Sequence, residues 1–137
     1  MEKFVFLEDE ATADVAFIAK GKTKSEIIAN ACLALTEVMT ETSLIEAERT
    51  YTKEFKAEDL LGLVYDVLNF LLFLFDTEDL FFNKFDVELD EDTLSLVLNA
   101  YGEKYDEHKH VIKTHIKAVT FFGMTFDETG LKITLDL

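Results

Sequence analysis

A chain of 137 residues that is 49% hydrophobic, with 13 Phe, carries enough apolar side chain for one packed core and is not intrinsically disordered. Its 28 acids against 13 bases give a formal net charge of −15, and Arg49 is the single arginine. Phosphate contacts dominate nucleic-acid affinity, so this balance excludes tight direct binding of RNA or DNA and suits a basic protein partner, a hard cation or a merely solvated surface.

In chain order, residues 3–8 and 14–20 read as two short strands, the second ended by Gly21. Thr23 with Glu26 three residues later has capping-box spacing, and Ile28, Ala31, Cys32, Leu35, Val38 and Met39 then recur at helical spacing. This predicts an amphipathic helix over 24–40, with Cys32 on its apolar face as a structural thiol. Residues 43–56, SLIEAERTYTKEFK, suit a strand with one solvated face. A second helix is predicted over about 57–76, with Asp59, Gly62, Asp66, Asn69 and Asp76 forming a narrow polar edge. Its run LLGLVYDVLNFLLFLF at 60–75 is shorter than the ~20 apolar residues a membrane span needs and contains Asp66 and Asn69, so a buried helix is expected rather than a bilayer segment.

Beyond Asp79 the period changes to two. FFNKFDVELD and TLSLVLNAYG form a hairpin over the turn at 90–92, and 102–110 reads as a polar loop. HVIKTHIKAVTFFG reads as a long strand, and MTFDETGLKITLDL closes a hairpin over Asp127–Gly130. The sum is two helices and about seven strands, an α+β domain with the helices on one side of a mainly antiparallel sheet. With no Pro and only 5 Gly there is no linker, and residues 1–137 are expected to be one domain. A lone cysteine and an N-terminus without a signal-peptide pattern lead to the expectation of a cytoplasmic protein.

His108, His110 and His115 show no metal-binding spacing; on a strand the first two share a face and the third takes the other. No nucleophile elbow, phosphate loop or Cys–His pair is present, so the residues do not describe a stand-alone enzyme. What remains is a set of oxygen donors. Asp14 opens an apolar strand near one end, and Asp136 lies at the other, followed by Leu137. Two Asp and a chain end suit a hard cation if the ends meet, and spacing alone does not bring them together.

Several stretches resemble the archease family, small protein cofactors of RtcB-type tRNA-splicing ligases. They are ATADVAF with AKGKT at 11–23, ALTEVMTETS at 34–43, LVYDVLNFLLFLFDTE at 63–78, GEKYDEHKHVIKTHIKAVTFFG at 102–123, and the ending LDL. The resemblance implies a compact α+β fold and a metal bound by Asp14, Asp136 and the main chain of Leu137, with calcium first and magnesium or manganese as alternatives. It also implies that the chain promotes guanylylation and multiple turnover of the ligase without being the ligase. Two positions depart from the family pattern, Ala11 and Phe122 standing where many members have His. His110, Lys113 and Lys117 match its H-x-x-K-x-x-x-K pattern and are candidate contacts to the ligase. Competing readings from the same residues are a metal-dependent hydrolase using Asp14 and Asp136, and a general chaperone-like binding module.

Overall fold

Both helices begin where a side chain closes the first turn. In α1 (Lys24–Met39) the Thr23 hydroxyl accepts from the Glu26 N–H at 3.1 Å, and in α2 (Leu60–Glu78) the Asp59 carboxylate accepts from the Gly62 N–H at 2.6 Å. Each bond satisfies a donor that has no partner within the helix. α2 ends at Asp79, which takes the left-handed conformation with φ 56°. The structure, a computed structural model, describes residues 2–7 and 14–137.

Seven strands accompany the helices: β1 (Phe4–Leu7), β2 (Val15–Ala19), β3 (Arg49–Lys56), β4 (Leu80–Asp90), β5 (Ser95–Lys104), β6 (Ala118–Asp127) and β7 (Gly130–Asp136). All pairings are antiparallel, in a four-stranded sheet ordered β1-β2-β7-β6 and a three-stranded sheet ordered β3-β5-β4. The α+β class with two helices therefore holds, with the strands divided between two sheets. Both helices pack against both sheets, and one contiguous core lies between these layers.

Period-two alternation explains the inner faces. Leu131, Ile133 and Leu135 of β7 are fully buried, as are Phe17 and Ala19 of β2, and Leu96, Leu98 and Ala100 of β5 are nearly so. From α2 the core receives Leu63, Val64, Val67, Leu68, Leu71, Leu72 and Leu74. This helix is long and apolar enough to cross a bilayer by length and composition, and the fold uses it as a core element between two sheets. Cys32 is fully buried, and that burial pushes its thiol pKa far above the ordinary range.

Two stretches differ from their sequence reading. Residues 43–56 do not form one strand: a 3-10 turn at Thr42–Leu44 precedes β3, which begins only at Arg49. The cause is Asn83, at a bulge in β4, whose amide donates to the carbonyls of Thr42 and Ile45 at 3.2 and 2.6 Å and holds that turn in place. Residues 110–117 are not a strand either. They run as an irregular strap past the end of α1, tied there by a bridge from Thr40 to Ile112 and by bonds from the Thr40 hydroxyl to the Val111 carbonyl and from the Lys113 N–H to the Met39 carbonyl, and β6 starts at Ala118.

Candidate metal centre at the paired chain ends

β2 and β7 are central neighbours in the four-stranded sheet, and their register decides where the two candidate ligands fall. The pairing runs from Ala19 with Leu131 to Val15 with Leu135. Carried one residue beyond the end of β2, that register would set Asp14 opposite Asp136. Residues directly opposite on antiparallel strands have Cβ atoms about 4.5–5.5 Å apart. Side chains alternate along a strand, so both aspartates lie on the face away from Val15 and Leu135. Asp14 is half-buried, Asp136 is exposed, and Leu137 follows half-buried at the end of the chain.

The third strand completes this corner. Ala118 pairs with Asp136, and the Lys117 N–H donates to the Asp136 carbonyl at 2.8 Å. The candidate donors at this corner are the side-chain carboxylates of Asp14 and Asp136 and the main chain of Leu137. Every donor is a hard oxygen, the type that Ca²⁺, Mg²⁺ and Mn²⁺ prefer, so the residues present fit such an ion. Among the described residues no three His, Cys, Asp or Glu side chains gather into a ligating group, so two aspartates would need a main-chain donor such as Leu137. Ala11, noted for the absent imidazole, lies outside the described residues.

The three other candidate residues do not share one surface. His110 is 4% exposed and belongs to the interior. Its Nδ1 accepts from the Asp106 N–H at 2.9 Å, so its proton sits on Nε2, which donates to Glu103 at 2.9 Å. The structure thus places His110, expected as a partner contact, inside the fold with both ring nitrogens engaged. Lys113 is exposed but bonded to Glu37 at 2.8 Å, and Lys117 is exposed beside the corner. His108 is exposed on a turn and His115 on the strap, so no histidine site forms.

Glu103, which the sequence reading passed over, organises this interior cluster. Its carboxylate accepts from Lys109 Nζ at 2.8 Å and from the Glu46 N–H at 2.7 Å, besides the His110 ring. Burial works to raise its pKa, but the bonds from Lys109, the Glu46 N–H and His110 outweigh it and hold the value at about 2. The bond to Glu103 in turn raises Lys109. The one available sequence signal is a carboxylate one residue after the buried Gly102 at the end of a strand. The cluster fixes one end of the strap and Asp136 receives the other, so the strap links the interior cluster to the paired chain ends.

Comparisons with known proteins agree with this architecture. The model of the archease protein family matches residues 4–137. The protein archease of Methanothermobacter thermautotrophicus is 44% identical over 143 residues, covering 100% of both chains, and that of Sulfurisphaera tokodaii is 38% identical over 95% of this chain and 92% of its own. The solution structure of Methanobacterium thermoautotrophicum protein 1598 superposes with a TM-score of 0.79 at 39% identity, covering 100% of both chains. On its full-length family match and on these relatives, the chain is a member of the archease family.

Proposed function

We propose that this chain is a non-catalytic activator of an RtcB-type tRNA-splicing ligase, acting in the cytoplasm and in tRNA processing. It would engage the ligase through the corner built from Asp14, Asp136 and Leu137. The observation that carries this reading is the β2–β7 register, which sets residues near opposite ends of the chain side by side. A divalent ion, calcium first and magnesium or manganese as alternatives, would be held by the two carboxylates and the main chain of Leu137. When bound, it supplies positive charge with open coordination positions for oxygen donors of the ligase.

The chain's own residues do the positioning. The central β2–β7 pairing ends at Val15 with Leu135, the residues next to the two aspartates, and the Lys117 N–H donates to the Asp136 carbonyl. Lys117, exposed beside the corner, is a candidate contact to the ligase, and Lys113 becomes one on release from Glu37. A partner shifts a conformational equilibrium only by its differential affinity for the two states, so activation requires tighter binding to the guanylylation-ready ligase.

The test is ligase turnover with and without the protein, using chains extended either after Leu137 or before Met1. Added wild-type chain is expected to convert single into multiple turnover. The C-terminal extension is expected to impair this by displacing the terminal donor, and the N-terminal extension to be tolerated. Equal activation by the two extended chains would remove the chain end from the mechanism.

A further inference from the structure

β6 does not run straight beside β7. Thr120 faces Thr134, but the next pair is Thr125 with Lys132, so residues 121–124 stand opposite the single residue Ile133. Gly123 permits this excursion, with a φ of 65° that a side chain would strain. Bulges re-aim side chains away from the sheet, and this one turns out two aromatic rings. Phe121 is 54% exposed and stacks on Tyr65 of α2 with ring centroids 4.2 Å apart, while Phe122 is 80% exposed. Met124 then returns to the core. Among the described residues Phe122 is the most exposed large hydrophobic side chain.

The bulge lies beside the acidic corner. Phe122 is four residues from Ala118, the partner of Asp136, hence at most about 13 Å along the strand at a rise of about 3.3 Å per residue. A Cβ on Gly123 would meet Lys132 Nζ at 3.8 Å and Thr134 Oγ1 at 3.9 Å, and both side chains share the sheet face of Asp136. The bulge therefore leans over the face that carries the corner. Residues 108–126 contain no Asp or Glu, the longest such stretch in a chain with 28 acids.

We propose that the Phe121–Phe122 bulge is the apolar anchor for a protein partner, one that offers a pocket for Phe122 next to the surface that meets the Asp14–Asp136 corner. Charge selects this occupant. A formal net charge of −15 repels anionic lipid and a second copy of the chain and attracts a partner with a basic surface. An exposed aromatic flanked by complementary charge is the arrangement from which interface hot spots are built. The inference rests on the activator reading for the identity of the partner, the ligase, and adds what holds it.

The test is the affinity of the ligase for wild-type and Phe122→Ala chains by interferometry, with thermal stability and calcium titration of the free proteins as controls. F122A is expected to weaken the complex roughly tenfold or more, the loss given by truncating an aromatic anchor, while the controls match wild type. Unchanged affinity in F122A overturns the anchor and leaves the activator reading standing. A wild-type chain that forms no complex with the ligase overturns both. A wild-type dimer that F122A dissolves, or binding to neutral phosphatidylcholine vesicles that F122A abolishes, assigns the bulge to another occupant and overturns the proposal.

Discussion

Glu103 shows how much one buried carboxylate can organise. It accepts from Lys109, the Glu46 N–H and His110, and together these bonds hold its pKa at about 2 against the ordinary 4.5. A folded-state value below the unfolded one means stability that is present above about pH 4.5 and is lost as pH falls toward about 2. Glu103→Gln is expected to destabilise the fold at neutral pH by about 1.5–3 kcal/mol, the range for hydrogen bonds to a charged group. The difference from wild type should shrink across that acid window, as read by urea unfolding at a series of pH values. A constant difference would mean that the charge of Glu103 contributes nothing. This cluster was not legible in the sequence because no regular spacing ties Glu103 to Lys109 and His110, six and seven residues on across a turn, and Glu46 is 57 residues away. The Thr23 cap was legible because its acceptor and donor are three residues apart, within one helical turn.

At the scale of elements, α2 depends on more than its apolar faces. Asn69, one of the polar positions expected to form a solvated edge, is half-buried; its side chain accepts from the Val119 N–H of β6 at 3.2 Å and donates to the Tyr65 carbonyl at 3.1 Å. Asn69→Ala leaves the Val119 N–H without its acceptor, and a loss of about 1–3 kcal/mol in urea unfolding is expected. Gly102 of β5 has a different constraint, because a Cβ there would collide with the Phe81 carbonyl of β4. Gly102→Ala is expected to lower stability by about 1–3 kcal/mol, as overpacking does, with a matching fall in Tm by calorimetry. An unchanged Tm would show that the hairpin opens at that point. The helices and the β4–β5 hairpin were readable because their periods are local. The strap at 110–117 was misread as strand because its alternation resembles one, while its bonds go to α1, the Glu103 cluster and Asp136. The β6 bulge gave no pattern to read, since Phe121 and Phe122 look like continued strand until β7 fails to pair with them.

For the whole molecule, the sheet order matters most, because it pairs Val15 with Leu135 near opposite ends of the sequence. Asp14 and Asp136 were identifiable as oxygen donors in the sequence, but their proximity depends on a long-range register that no local pattern fixes. The net charge of −15 adds a second expectation. Association with a basic ligase surface should weaken with added salt, as the screening length falls from about 10 Å at 0.1 M to about 3 Å at 1 M. On-rates by stopped flow over that range should drop, and a salt-independent on-rate would exclude electrostatic steering. The account stands or falls on the corner itself. Its most direct test is ligase turnover in the presence of Asp14→Ala or Asp136→Ala chains, each first shown to be folded. Each variant is expected to lose the support of multiple turnover, whereas undiminished turnover with both would contradict the account.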